Sequence, residues 1–476
     1  MDTLLTYTDA RMVAYRAPLT DAPTRSLHDK LLEGGVSFKD RGAKGDGVAD
    51  DTAAALATFA YAMANNVPVL VTSGRYLIRD QINVSGIGVK VYGDGNQDAV
   101  ICTDTNMGAL LNFTGGGSFE LEVEGVGFDT TGTVTRCVSH SANVLRLRGC
   151  AFRGTLPGAL VRSTGQIMHV EGGRFDADAA DTVGVEYDGF NQNCTIMPGT
   201  RFGGVGRGVR VIHSNPSDPR VEGLTLSGVI FINTGLYNVS VGDSLRTLIQ
   251  GCILDQASSY ALEITDGATL CTLTGSWAGL STGAGASGTC VVVRPGAGPG
   301  TRIVDNDLFG GQTGIAVEAT AANRVSKLLI QGNTFDSHSD ESLALDSVAN
   351  CRVLDNSDLG ARSSCSWYTK ATAGAGSYWF SGNSWSGPVP ALFGAASGYR
   401  WGYEDGVLGR NRGSVQPVSA VTSVDINHGL FRTPTHVTAV LEGVAQKCWI
   451  ATKTATTLTV AWDTAATPTV HWSAEV

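Results

Sequence analysis

Charge is what this sequence has least of. Asp, Glu, Lys and Arg together make up 16% of the 476 residues, against about 25% in an ordinary soluble domain. Positive charge is the scarcer sign: 34 Lys and Arg face 44 Asp and Glu, a net charge of −10. That balance opposes binding to nucleic acid or to anionic lipid, which both reward Lys and Arg. No apolar run approaches the roughly 20 residues of a membrane span, so no membrane insertion is expected. The opening MDTLLTYTD lacks the basic stretch and apolar core of a signal peptide. The ten cysteines show neither CxxC nor Cys/His zinc spacing. They are expected as buried thiols, with no metal and no cofactor.

Glycine is what the sequence has in excess, at 61 residues, about twice the ordinary share. Apolar content is normal at 42%, which excludes a disordered chain. Together these suit many short strands joined by turns. Residues 40–52, DRGAKGDGVADDT, concentrate the glycines and acids. The order fits neither the phosphate loop GxxxxGK[ST] nor the dinucleotide pattern GxGxxG, and the acids miss the alternate spacing of a calcium loop. A turn remains. Gly42, Gly45 and Gly47 supply positive φ, and Asp50 or Asp51 can cap a following helix. That helix is expected over 52–64, with Leu56, Phe59, Ala60 and Met63 on its apolar face. Strands are expected at VSF (36–38), VPVLV and GRYLI on either side of it.

Further along, the chain repeats. GVGF (125–128), GCAF (149–152), GGRF (172–175), GTRF (199–202), GVIF (228–231), GCIL (251–254), GNTF (332–335) and GNSW (382–385) recur at a period of roughly 23 to 30 residues, which points to a solenoid. DNDL (305–308) fits with Asp305 replacing glycine, and GSWA (275–278) fits poorly. No unit carries a helical pattern, so two or three short strands per turn form a parallel β-helix. Val185, Val209, Val239, Leu262, Val291, Ile315 and Leu343 should form an inward ladder, and Asn333 and Asn383 an asparagine ladder at a turn. An open solenoid end needs a cover, and the helix at 52–64 is placed to provide it. Composition changes at 388–398, and the alternating segments after 415 suit a small antiparallel β-sandwich.

Three motifs carry a family resemblance. VSFKDRGAKGDGVADDT resembles the opening motif VKDFGAKGDGVTDDT of pectate-lyase-like β-helix proteins and phage tailspikes, with RSLHDKL (25–31) similar to the tailspike lead-in. NHGLFRTP (427–434) resembles the HGLxxxP signature of C-terminal tailspike domains, which makes His428 and Gly429 turn residues. Arg41 departs from the pattern, standing where the family usually has an aromatic. The resemblance spans 25–476. It implies an all-β chain: a right-handed single-stranded parallel β-helix of roughly 10–12 coils, an N-terminal capping helix and a C-terminal antiparallel β-sandwich. It also implies a homotrimer on a virion that binds and often cleaves the surface polysaccharide of a bacterial host. Residues 1–35 would anchor the chain to phage tail or adaptor proteins, 36–390 form the β-helix, 391–414 a linker and 415–476 the trimerising sandwich. Such a protein is made in the host cytoplasm and needs no signal peptide.

The resemblance transfers no catalytic residue, so candidates come from the residues themselves. Glycoside hydrolysis needs two carboxyl groups, about 6.5–9.5 Å apart in inverting enzymes and about 5–5.5 Å in retaining ones. Outward residues two apart on a strand, or on adjacent coils, deliver either spacing. In VEYD (185–188) the inward Val185 and Tyr187 leave Glu186 and Asp188 facing out together. Arg210 and His213 fall nearby on the next coil, and HSNPSDPR (213–220) is a loop that can wall a groove. Further on, Glu263 and Asp266 are followed by Trp277 and Arg294. Glu186, Asp188, Glu263 and Asp266 are the catalytic candidates; Arg210, His213, Trp277 and Arg294 the saccharide-binding ones. Asp255, Asp305, Asp307, Asp336, Asp340 and Glu341 are rivals. Three activities stay open: an inverting endo-hydrolase, a glycan-binding adhesin without chemistry, and a lyase, for which the strip offers arginines but no lysine.

Overall fold

The computed structural model describes residues 14–15, 25–26, 34–85, 88–115, 120–131, 136–154, 158–177, 181–281, 287–319, 323–346, 348–360, 367–370, 378–384, 399–401, 410–427, 433–454 and 457–475. Most of the expected anchor 1–35, much of the linker 391–414, and His428 and Gly429 lie outside these residues. The chain is a right-handed parallel β-helix of about 12 turns followed by antiparallel sheets. It divides into two compact units, Met1–Ser258 and Ser259–Val476.

In the first unit each coil contributes three strands, one to each of three parallel sheets. One coil is Val144–Arg148, Ala151–Gly154 and Ala159–Ser163. The corner between the first two strands is a residue at positive φ, as at Gly125, Gly149 and Gly172. The repeated glycine is there because this corner needs the left-handed region. Three residues on, the phenylalanine points inward. Phe128, Phe152, Phe175, Phe202 and Phe231 stack with ring centroids 5.1, 4.8, 4.6 and 4.7 Å apart. That is the spacing of hydrogen-bonded strands, so each ring meets the next without distorting the backbone.

The second unit repeats the plan in strands such as Tyr260–Ile264, Trp277–Leu280 and Arg302–Val304. The valine ladder forms within each unit: Val185–Val209–Val239 in the first, Leu262–Val291–Ile315–Leu343 in the second. At the first corner Asp305 takes the glycine's role at φ 56°. GSWA fits the repeat better than its letters imply: Gly275 holds φ 56° and Ala278 fills the inward place. The residue after each corner points inward, and here it is asparagine. Asn306, Asn333, Asn356 and Asn383 are buried, and each side-chain amide donates to the next carbonyl at 2.9, 3.0 and 2.7 Å.

The helix spans Thr52–Asn65 and packs on the first-coil strands Val36–Ser37 and Val69–Val71. Its buried face is Ala55, Thr58, Phe59 and Ala62, while Leu56 and Ala60 are exposed. The expected stripe is therefore turned by one position. Small side chains let the helix lie close on the coil, and Phe59 alone reaches in to Phe38, 6.0 Å between ring centres. Asp51 stands at the N-cap, but its carboxylate turns back to accept from the amides of Lys44 and Gly45 at 2.7 and 3.0 Å. Asp50 instead accepts from the Thr52 amide at 3.0 Å. The acids of DRGAKGDGVADDT thus close their own loop. Arg41 lies 4.6 Å over the Tyr61 ring, which gives that departure from the family motif a packing role.

The last antiparallel strands begin at Arg410, ahead of the expected 415. Two three-stranded sheets, one carrying Arg410–Val415 and the other Val421–Asn427, enclose a core of Ile426, Leu458, Val460, Trp462, Val470 and Trp472. Of the nine cysteines among the described residues, eight are buried and Cys448 is half-buried, all free thiols, and Cys365 lies outside these residues. Cys150 and Cys252 follow the corner residues Gly149 and Gly251, in the same inward place that asparagine takes elsewhere, and Cys194, Cys271 and Cys351 follow the positive-φ residues Asn193, Leu270 and Asn350 at another corner of the coil. No helix among the described residues is long and apolar enough to cross a membrane.

Candidate functional site

The first unit brings carboxylates and arginines together on the outer face of one sheet. Strands Ala159–Ser163, Val183–Asp188 and Arg207–Ile212 are neighbours, and their register aligns Arg162, Glu186 and Arg210 in a row across the coils. The signs alternate at the strand spacing of about 4.8 Å, so each long arginine lies over the shorter carboxylate beside it. Arg162 Nε is 3.2 Å from Glu186 Oε1, and Arg210 Nη1 is 3.5 Å from Glu186 Oε2. Arg162 also donates to Asp188. Asp188 further accepts from the Ser214 amide at 2.9 Å and its hydroxyl at 2.6 Å. Glu186 and Asp188 both point away from the coil interior, as expected, yet they are only 7% and 3% exposed. They are not solvated surface acids.

Burial acts to raise the Asp188 pKa, but the hydrogen bonds from Ser214 and Arg162 outweigh it, and the carboxyl lies below its ordinary value. Asp188 is therefore ionised at neutral pH. It can accept a proton or stabilise positive charge, and it cannot serve as the proton donor. Glu186 opens on a cleft of about 450 Å³, within the usual range for small-ligand sites of about 300–1,000 Å³. Its other charged lining residues are Arg136, Arg162, Asp181, Arg207 and Arg210.

His213 takes a different place from the one expected. Its Nδ1 meets Asp243 Oδ2 at 2.8 Å and its Nε2 meets the Asp218 carbonyl at 2.8 Å. With both ring nitrogens engaged, it anchors the loop 213–220 rather than offering a free group to a saccharide. The Asp243 hydrogen bond raises its pKa above the ordinary value. Arg220 adds a second contact to Asp243 at 3.2 Å. Ser214 ties the loop to Asp188, but no residue of 213–220 lines the cleft beside Glu186.

In the second unit Glu263 and Arg294 do meet. Arg294 Nε lies 3.0 Å from Glu263 Oε1, and Nη1 pairs with Glu318, a residue not singled out from sequence. The guanidinium also covers the Tyr260 ring at 4.8 Å. Burial disfavours its charge, but these partners hold its pKa above the ordinary value. Asp266 does not join this cluster. It sits exposed in the turn after the strand, its carboxylate against Gly296, where a Cβ would lie 2.3 Å from Oδ1. Trp277 does not join either. It belongs to another sheet of the coil, 38% exposed and stacked on Phe309 at 5.3 Å. The corners at Leu270 and Gly275, with strand Thr272–Thr274 between them, separate it from the strand that carries Glu263.

Sequence reasoning missed Arg136, Arg162, Asp181, Arg207, Ser214 and Asp243. A signal for Arg162 existed: it lies one coil before Glu186, at the offset that aligns Val161 with Val185.

A sequence profile of the family described as rhamnogalacturonase A/epimerase, pectate lyase-like, matches residues 35–159. No curated protein sequence matches the chain. Among solved structures, a tailspike mutant of E. coli bacteriophage HK620 in complex with a pentasaccharide superposes with a TM-score of 0.59 at 12% identity, covering 98% of this chain and 97% of that one. The catalytic domain of a GH87 α-1,3-glucanase in complex with tetrasaccharides gives a TM-score of 0.58 at 10% identity, covering 78% and 71%. The fold of this chain is thus the pectate-lyase-like right-handed parallel β-helix, similar over nearly its whole length to that of a phage tailspike.

Proposed function

We propose that this protein is a homotrimeric phage tailspike that binds the surface polysaccharide of a bacterial host and depolymerises it by inverting endo-hydrolysis. The observation that carries the proposal is the outward, buried carboxylate pair Glu186 and Asp188, joined by Arg162, of which Glu186 lines a cleft. Carboxylates on a soluble surface are ordinarily solvated, and holding two of them side by side under one guanidinium is costly without a use. The similarity in fold to a pentasaccharide-bound tailspike and a tetrasaccharide-bound glucanase supports a polysaccharide ligand. Asp188, held ionised, takes the base role toward water. Glu186, which faces the cleft, is the partner carboxyl. Glu263 with Glu318 across Arg294 is the rival pair. Residues 1–35 are proposed as the virion anchor and 415–476 as the trimerising domain.

One observation favours a second reading, an adhesin without chemistry: Glu186 and Glu263 are each ion-paired to arginine. Mass spectrometry of lipopolysaccharide and capsule incubated with the purified protein separates the readings. Oligosaccharides heavier by one water are expected. Asp188→Asn and Glu186→Gln should each lower their release by about 10²- to 10⁴-fold, and Glu263→Gln should not. Unsaturated uronate ends would make the protein a lyase, and tight binding without products would make it an adhesin.

A further inference from the structure

The arginines of the first-unit cleft are not equivalent. Arg162 is paired with Glu186 and Asp188, Arg210 with Glu186, and Arg207 with Asp181 at 3.1 Å. Arg136 has no such partner: among the described residues no carboxylate lies within ion-pair distance of its guanidinium. Its surroundings oppose its charge. Burial lowers its pKa, the neighbouring Arg162 lowers it further, and the more distant carboxylates of Glu186 and Asp188 offset this only in part. A half-buried cation beside a second cation is an unfavourable arrangement, and it is relieved when an anion occupies the space in front of it. In a chain of net charge −10, the cleft is lined by four arginines and two carboxylates, Asp181 and Glu186.

The register supplies the room. Val138 aligns with Val161, Ala159 with Val183, and Val183 with Arg207. Arg136, two residues before Val138, therefore heads a row that runs through Ala159 and Val183 to Arg207. The floor between the two arginines is small or short, Gly158, Ala159 and Val183. Among the described residues, the cleft leaves open space beside Arg136. A guanidinium binds planar or tetrahedral oxyanions through paired N–H donors.

We infer that the cleft takes an anionic sugar residue, whose acidic group is bound by Arg136. This rests on the polysaccharide-binding function proposed above and narrows it to acidic glycans.

Binding of the full chain to immobilised host polysaccharides tests it, with each acidic polymer compared with its carboxyl-reduced and its dephosphorylated form. Wild-type protein is expected to bind an acidic polymer and to lose about 10- to 100-fold when the acidic group is removed, as for a charged hydrogen-bonded pair. Whichever treatment causes the loss identifies the anion as carboxylate or phosphate. Arg136→Gln should show the same loss on the untreated polymer and no further loss on the treated one. Arg136→Lys, which keeps the charge but not the fork, should fall between. Equal binding of acidic and neutralised polymers by wild-type protein overturns the inference and leaves the polysaccharide function standing. Binding to none of the polymers removes both.

Discussion

A single corner residue decides much of this molecule. The left-handed turn is held by Gly125, Gly149 or Gly172 in one unit and by Gly275, Asp305, Gly332, Asp355 and Gly382 in the other. The residue that follows is always inward. Where it is asparagine, both its donor and its acceptor are needed: Asn356 takes the Asn333 amide on its Oδ1 at 3.0 Å and donates to Asn383 at 2.7 Å and to the Ile330 carbonyl at 3.2 Å. Asn356→Ala leaves buried polar groups on two neighbouring coils without partners, at about 1–3 kcal/mol for each group. Guanidinium unfolding, followed by tryptophan fluorescence, should show the variant unfolding at markedly lower denaturant. An unchanged midpoint would mean that water replaces the side chain.

At the scale of elements, the periodic parts of the chain were legible and the chemistry was not. The ladder from Leu262 to Leu343 and the asparagines were readable because inward residues must match their neighbours coil by coil. Outward residues obey no such rule. The row Arg162, Glu186, Arg210 is periodic only in charge, and reading it requires the strand register rather than the letters. Trp277 looked close to Glu263 in sequence, yet two corners, at Leu270 and Gly275, and the strand between them send it to another sheet. The helix stripe was misjudged for a related reason: large apolar side chains were favoured, whereas close packing on a flat coil end selected Ala55 and Ala62. Polar anchors such as His213 and Asp243 sit far apart in sequence and have no spacing signature.

The loop 213–220 makes one pH effect testable. His213 is raised above its ordinary pKa by Asp243, with Arg220 on the same carboxylate and Asp188 beyond. A raised folded-state pKa means that the contribution is complete below the unfolded value of about 6.5 and lost as pH rises through the folded value. Amide hydrogen exchange in 213–220, corrected for its intrinsic pH dependence, should therefore show less protection at pH 9 than at pH 6. His213→Gln should remove the step. Because Ser214 holds Asp188, loosening of the loop should also relax the site.

For the whole molecule, the proposed trimer has a specific consequence. The sandwich leaves Val440 and Trp449 63% and 48% exposed, and Val418 fully so, apolar surface that a single chain leaves uncovered. Light scattering at micromolar concentration should give three times the chain mass of 49.5 kDa. A monomer would remove the case for a trimerising domain and for any groove shared between chains.

The inward place after each corner has one more occupant with a use. Cys150 and Cys252 fill it after the first corner, Cys194, Cys271 and Cys351 follow a left-handed residue at another corner of the coil, and burial pushes the thiols of Cys150, Cys194 and Cys271 up to about 12. Such a thiol meets a reagent only when its own corner lifts. The protein therefore carries a built-in row of stopwatches along its coils. Labelling each cysteine in native buffer and comparing the times would rank the coils by how often they open, and show where a long, repetitive stack first comes apart.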